Sequence, residues 1–304
     1  MSSTYIIIVT YNGEQWIRQC LDSCQDYNVI IVDNNSSDGT IGIIKNEYSN
    51  VVLLKQQKNL GFGKANNLGI SHALKSGCDY VFLLNQDAYL EKGAIKRMLA
   101  VHKNNLEYGI LSPIHLNGKG DKLDKNFSDY LKYDNNNFIL RDIFKNESNV
   151  VYTIPFINAA AWLLPKATLQ KIGGFDPIFF HYGEDNNYCQ RALFHNLKIG
   201  IVLDAYVKHD RENIEKRPIG NESEILKKYE TQIKINHADV NRFDNGLEKL
   251  IKYKFKHIIK LVIKLKIKKA SFIYKEYKIL KTSKVQIFKS KELNIKQAPN
   301  YLNF

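Results

Sequence analysis

Four short apolar runs, Tyr5–Val9, Val29–Val32, Val51–Leu54 and Tyr80–Leu84, punctuate the first part of the chain. Each is too short for a buried helix and rich in Val, Ile, Leu or aromatic residues, as in strands covered on both faces. Between them Glu14–Cys24, Thr40–Tyr48 and Gly61–Lys75 read as helices. That alternation predicts an α/β fold with a mostly parallel sheet and helices on both faces. Ligands of such sheets sit beyond the carboxyl ends of the strands, so the residues that end each run deserve the first look.

Those ends are polar. Thr10-Tyr11-Asn12 follows the first run, Asp33-Asn34-Asn35-Ser36 the second and Asn85-Gln86-Asp87 the fourth. Tyr11 offers an aromatic wall and its neighbours hydrogen bonds to a base; Asp33 and Asn34 offer a carboxylate and an amide to base or ribose. Asp87 can hold a divalent cation against a phosphate. Any one cluster is also an ordinary Asx-rich turn, but a parallel sheet brings all three to one edge. The stretch Asn59–Asn67 adds Gly61 and Gly63, which let backbone approach a ligand, and a helix N-terminus suited to phosphate. It is neither a P-loop, lacking Gly-x-x-x-x-Gly-Lys-Ser/Thr, nor a dinucleotide fingerprint, lacking the third glycine.

Asn117–Asn149 is polar and predicts an irregular excursion or loose hairpin over the sheet edge. Order returns with Val150–Pro155 and Ala159–Leu164, then a short helix, Lys166–Ile172, stopped by Gly173-Gly174. From there to Arg191, aromatic residues crowd two adjacent carboxylates, Glu184 and Asp185, at the start of a helix. Apolar surroundings and a neighbouring carboxylate both raise a carboxyl pKa, which suits a general base. An acidic helix N-terminus accounts for the pair equally well.

The ordered motifs Val9-Thr10-Tyr11-Asn12, Val32–Gly39, Asn59–Gly63, Leu84–Asp87, Gly173-Gly174-Phe175-Asp176 and Glu184-Asp185 resemble family 2 glycosyltransferases, over about residues 4–210. The likeness is strongest to the rhamnosyltransferase-like branch that builds polysaccharides. It implies an inverting enzyme of the GT-A (Rossmann-like) fold, a mostly parallel mixed sheet flanked by helices, using Mg²⁺ or Mn²⁺. By motif, Thr10, Tyr11, Asn12, Asp33, Asn34, Gly61, Asn66, Asn85 and Asp87 would face the donor. Asp87 and His209 would bind the metal, and Asp185 would deprotonate the acceptor. Glu184, Trp162 and His181 would lie on the acceptor side. The donor would be dTDP-rhamnose or a UDP-hexose, and the acceptor a hydroxyl of a growing, lipid-linked polysaccharide. Two departures stand out: Asn85 replaces the first carboxylate of Asp-x-Asp, and Asn34 stands where a second Asp is common. A nucleotidyltransferase on a similar sheet, or an inactive sugar-nucleotide-binding or membrane scaffold protein, remain the alternatives.

The chain has 304 residues and a net charge of +13, which is concentrated near its end. Residues 1–210 hold 21 basic and 21 acidic groups; from Lys249 onward there are 16 lysines against Glu276 and Glu292. The asymmetry predicts a catalytic domain at 1–210, with a nucleotide-sugar half at about 1–116 and an acceptor half at about 150–210. A basic, mainly helical extension follows at 211–304. In it Leu247, Leu250, Ile251, Phe255, Ile258, Ile259 and Val262 recur at helical spacing among lysines, an amphipathic pattern suited to an anionic membrane surface through 246–270 or to packing on the domain. No arginine follows position 248 and no nucleic-acid motif is present, which disfavours nucleic acid. Cys20, Cys24, Cys78 and Cys189 are scattered and read as buried reduced thiols. Without a signal-peptide pattern or a membrane-length apolar run, the expected location is cytoplasmic, with a peripheral place on the inner face of the membrane open.

Overall fold

The computed structural model describes residues 2–133, 139, 141, 142, 145, 150–211, 220–243 and 245–304. The first four runs become β1 (Thr4–Thr10), β2 (Asn28–Asp33), β3 (Val52–Lys55) and β4 (Tyr80–Asn85). The intervening helices are α1 (Ile17–Asp22), α2 (Thr40–Glu47) and α3 (Phe62–Lys75). Next come β5 (Ala88–Leu90), α4 (Ala94–Asn104), β6 (Tyr108–Asn117), α5 (Lys125–Ser128), β7 (Val151–Thr153) and β8 (Ala161–Pro165). The sheet is completed after α6 (Lys166–Ile172) and α7 (Glu184–Phe194) by β9 (Lys198–His209). The strand order is β3-β2-β1-β4-β8-β6-β9-β5, with β7 on β9.

Alternation on the strands builds a core on each face. Ile6, Ile8, Ile31, Phe82 and Leu84 face the side covered by α1, α2 and α4. Ile7, Ile30, Val81 and Leu83 face the side holding Ile70 of α3, Leu169 of α6 and Tyr188 of α7. All four cysteines are buried thiols. The sheet is more evenly mixed than expected. β3, β2, β1 and β4 are parallel, as are β6 and β9, but β8 opposes both β4 and β6, and β5 and β7 oppose β9. β4 and β5, only two residues apart, do not pair: β5 is carried to the far end of the strand order, against β9.

The polar excursion after β6 is more ordered than expected up to Tyr133. Asp124 caps α5 by accepting from the Asn126 and Phe127 amides, and Phe127 and Tyr130 are driven into the core. Its positions 134–138, 140, 143, 144 and 146–149 lie outside the described residues.

After β9 come α8 (Glu222–His237), α9 (Gly246–Ile263) and α10 (Ile267–Asn294). The expected stripe on α9 is divided: Leu247 and Ile251 are buried with Ile233, Leu280 and Ile287, whereas Phe255, Ile259 and Val262 are exposed. The C-terminal segment returns to the α/β part, where the Gly174 amide donates to the Asn300 carbonyl at 2.8 Å and the Asn303 amide to Ser71 Oγ at 3.0 Å. Asp176, of Gly173-Gly174-Phe175-Asp176, is buried, and its Oδ2 accepts from Ser290 Oγ at 2.6 Å and Asn294 Nδ2 at 2.7 Å on α10. Asp176→Ala would strip the buried Ser290 hydroxyl of its acceptor and leave Asn294 Nδ2 only its 3.2 Å bond to Ser290 Oγ, and should destabilise the fold by about 2 kcal/mol. Urea unfolding measures this; a loss below about 0.5 kcal/mol, the scale of a neutral surface change, would contradict the clamp.

Candidate active site

Register sets the site. β1 lies between β2 and β4 with Thr10 beside Asp33 and Val9 beside Asn85, so three polar strand ends stand in a row. β5 pairs with β9 so that Ala88 opposes His209, which carries His209 to the same edge from the other side of the sheet. The result is a contact between Asp87 and His209: Oδ1 and Nε2 are 3.4 Å apart. His209 is buried, with its ring edge-on to buried His115 at 6.0 Å between centroids. Burial, with the His209 charge second, holds His115 down to about 3, so it stays neutral behind the pair.

Many of the sequence-predicted donor residues serve the scaffold. Asp33 is fully buried; its Oδ1 accepts from Thr10 Oγ1 and its Oδ2 from the Asn35 and Ser36 amides, each at 3.1 Å. Asn34 ties this turn to the next loop, accepting from the Leu60 amide at 3.2 Å and donating to the Gly61 carbonyl at 3.3 Å. Asn12, at φ +49°, accepts from the Ser37 amide at 2.9 Å. Tyr11 is half exposed, with its ring free to meet a ligand. Gln86, which the motif reading treats as a spacer, grips Tyr11 by both main-chain groups, at 3.0 and 3.3 Å. The Asn85 amide donates to the Ala160 carbonyl at 2.9 Å, which anchors the start of the same turn.

The glycine-rich turn departs from expectation. A Cβ on Gly61 would stand 1.9 Å from the Phe180 carbonyl oxygen, and one on Gly63 2.9 Å from Phe175 Cβ. The Phe62 amide donates to that same Phe180 carbonyl at 3.3 Å. These glycines therefore admit the 175–184 loop, and this part of the α3 N-terminus is satisfied by protein. Asn66 is buried and donates back to the Phe62 carbonyl at 3.1 Å, so its amide nitrogen serves the first turn of α3. Asn67, absent from the motif reading, clamps Phe175 through its amide nitrogen at 2.8 Å and its amide oxygen at 2.7 Å.

Gly183, at φ +94°, turns the chain into α7 and puts Glu184 and Asp185 in its first turn. Glu184 is buried, and Oε2 has no hydrogen-bond partner among the described residues. Burial and the Asp185 charge push it up to about 7, overriding the favourable helix dipole. Asp185 keeps partial access to solvent, and burial pushes it up to about 6. The Asp185 and Arg211 charges both reach Tyr130, whose hydroxyl accepts from the Asn158 amide at 3.2 Å. Arg211, two residues past His209, forks onto Asp124 through Nε at 2.9 Å and Nη2 at 2.5 Å. The Arg211 amide also donates to the His209 carbonyl at 3.2 Å, so the Asp124–Arg211 pair adjoins His209; these residues and Tyr130 sit in the polar excursion and at a strand end, where no motif marks them.

The expected acceptor residues separate. His181 is exposed, its ring 4.0 Å from that of Tyr182. Trp162 is a correction. It is fully buried and stacked on Phe175 at 6.0 Å, because alternation on β8 points it into the core.

A divalent cation fits between Asp87 and His209 by one criterion: ligands of one ion at roughly 2.1 Å each stand about 3 Å apart. Among the described residues no third His, Cys, Asp or Glu completes a cage. Most of the coordination would have to come from a ligand's own oxygens and water, as Mg²⁺ tolerates.

A Rossmann-like sheet with a carboxylate–histidine pair at its strand ends and a helix-borne dicarboxylate of raised pKa places the chain among the α/β proteins whose ligand sites lie beyond the carboxyl ends of the strands. The chain belongs to glycosyl transferase family 2, whose model matches residues 5–172. It is 24% identical over 213 residues to the dTDP-rhamnosyl transferase RfbF of Shigella flexneri, covering 68% of this chain and 69% of that one. It is 32% identical over 228 residues to the poly(ribitol-phosphate) beta-glucosyltransferase of Bacillus spizizenii, covering 69% of this chain but 33% of the relative. The fold matches S. aureus TarS 1–349 at 18% identity and TM-score 0.53, over 80% of this chain and 66% of that one. GalNAc-T7 with UDP, GalNAc and Mn²⁺ matches at 12% identity and TM-score 0.57, over 77% and 47%.

The buried Glu184 has a consequence for stability. A carboxyl raised from 4.5 to about 7 stabilises the fold fully only below its unfolded pKa, and that contribution is lost as pH rises through about 7. Glu184→Gln should therefore be neutral near pH 4 and stabilising at pH 8, on the order of 1–3 kcal/mol. Thermal melts at the two pH values check this, and an equal effect at both would contradict it.

Proposed function

We propose that the chain is an inverting hexosyltransferase, assisted by Mg²⁺ or Mn²⁺, acting on dTDP-rhamnose or a UDP-hexose. The acceptor in this reading is a hydroxyl of a growing, lipid-linked polysaccharide. The observation that carries it is the meeting of Asp87 and His209 at 3.4 Å on the edge that also bears Thr10, Asp33 and Asn85. The Shigella relative is a dTDP-rhamnosyl transferase and the Bacillus relative a glucosyltransferase, which supports a sugar-nucleotide donor and a surface-polymer acceptor.

The exposed Tyr11 ring stacks on the base. Asp33 and Asn34 act one step back: their side chains shape the turn whose backbone and Asn12 frame the ribose. Asp87 and His209 would hold the cation, which when bound would neutralise the diphosphate leaving group. Asp185, ionised and solvent-accessible, takes the proton of the acceptor hydroxyl. The acceptor oxygen bonds to the anomeric carbon from the face opposite the phosphate, whose C–O bond breaks with its electron pair leaving on the nucleoside diphosphate. Attack from the opposite face inverts the anomeric centre. Burial keeps Asp185 more basic than an ordinary carboxylate.

Asp185→Asn should lower kcat by about 10²–10⁴-fold with UDP or dTDP affinity changed less than about twofold, since the general base touches only the acceptor proton. Retention of more than about a tenth of the activity would exclude Asp185 as the base. In the unmodified enzyme kcat/KM should rise with pH through about 6, because only the ionised carboxylate accepts a proton. A flat profile from pH 5 to 8 would contradict the assignment.

A further inference from the structure

α9 and α10 are joined by Lys264-Leu265-Lys266 and pack along each other as a hairpin. Its base is fixed to the α/β part: Leu247, Ile251, Leu280 and Ile287 cluster with Ile178 of the loop that leads to Glu184. At the 1.5 Å rise of a helix, the stretch of α9 from Ile251 to Ile263 carries the tip about 18 Å beyond that base. The tip has a closed interior of Leu261, Ala270 and Ile273. Yet Ile263, Leu265 and Ile267 remain 76%, 83% and 58% exposed, Leu265 held outward by a turn at φ +54°. Large aliphatic side chains together at the end of a projecting element, with none of the hairpin's own core left to fill, mark a contact surface.

Charge says what the contact is. Between Lys256 and Lys269 there are six lysines and no carboxylate, and all six are exposed. The carboxylates near the hairpin are used further down: Glu276 pairs with Lys254 at 2.5 Å, Glu248 with Lys284 and Glu222 with Lys275. Among the described residues none of the six tip lysines has an acidic partner. Lys256, Lys260, Lys264 and Lys266, with Tyr253 and His257, line a groove of about 320 Å³ able to take a phosphate headgroup. A soluble polyanion would satisfy the lysines and leave Ile263, Leu265 and Ile267 in water. An anionic bilayer satisfies both sets, apolar side chains below the headgroups and ammonium groups among them.

We propose that the α9–α10 tip is a docking element for an anionic lipid bilayer, with Ile263, Leu265 and Ile267 entering the interface and Lys256, Lys260, Lys264 and Lys266 engaging lipid phosphates. The inference stands apart from the transferase reading, because binding to lipid needs neither donor nor acceptor.

The test is co-sedimentation of the full chain with phosphatidylglycerol–phosphatidylcholine vesicles, with phosphatidylcholine vesicles, and in competition with soluble polyphosphate. Mixed vesicles should bind at least about tenfold tighter than neutral ones, lysines near an anionic surface contributing about fivefold each. The variant Ile263→Ser/Leu265→Ser/Ile267→Ser should lose about tenfold or more, and Lys260→Gln/Lys264→Gln/Lys266→Gln about a hundredfold, both with unchanged thermal melts because every altered side chain is exposed. Absence of binding to mixed vesicles overturns the proposal. So does loss in the lysine variant alone with full displacement by polyphosphate, which would make the tip a polyanion site.

Discussion

The structure depends on the register of β1 between β2 and β4. Main-chain hydrogen bonds pair Thr10 with Asp33 and Val9 with Asn85, and Ile6, Ile7 and Ile8 are completely buried, so a slip of one residue would exchange the two cores. Three strands end together because they are locked together. The polar residues that follow have nowhere to go but the open edge. The β5–β9 pairing repeats the device from the far side and delivers His209 to Asp87.

Polar groups at such an edge have two duties, and burial decides which comes first. A buried carboxylate or amide without partners is costly, so Asp33, Asn34, Asn66 and Asn67 satisfy the scaffold's donors and acceptors before any ligand arrives. In the proposed transferase, the groups left for chemistry are those that burial leaves incomplete. Tyr11 presents an exposed ring, Asp87 and His209 face each other, and Asp185 keeps solvent access beside a buried Glu184. In that reading the motif combines a preorganised frame with a few groups left open to a ligand, an arrangement that would keep reorganisation small when charge develops.

Much of this was legible in the chain. Runs of Ile and Val flanked by Asn, Asp and Gly place β1, β2 and β4 within a residue or so of their ends, because two-sided burial leaves little other choice of residue. The helix Lys166–Ile172 follows from its glycine stop. The burial of Trp162 was not legible, since an aromatic beside small residues suits a sugar platform and a core equally. Arg211, Tyr130 and Asp124 were hidden because their meeting spans sequence separations that no local pattern reports. The glycines of Asn59–Gly63 signal a close approach correctly, but the partner is the 175–184 loop.

The C-terminal helices make the site and the rest of the chain one object. Asp176 is held by Ser290 and Asn294, and Ile178 packs at the hairpin's base, so the loop that leads into Glu184 and Asp185 is braced from outside the sheet. The central claim is that this edge holds a nucleoside diphosphate through a cation on Asp87 and His209. Crystals grown with UDP or dTDP and Mn²⁺ test it through the metal's anomalous scattering. The account predicts a single strong peak within about 2.3 Å of both Asp87 and His209, with the nucleotide base against Tyr11. A peak elsewhere, or nucleotide bound away from this edge, would contradict it.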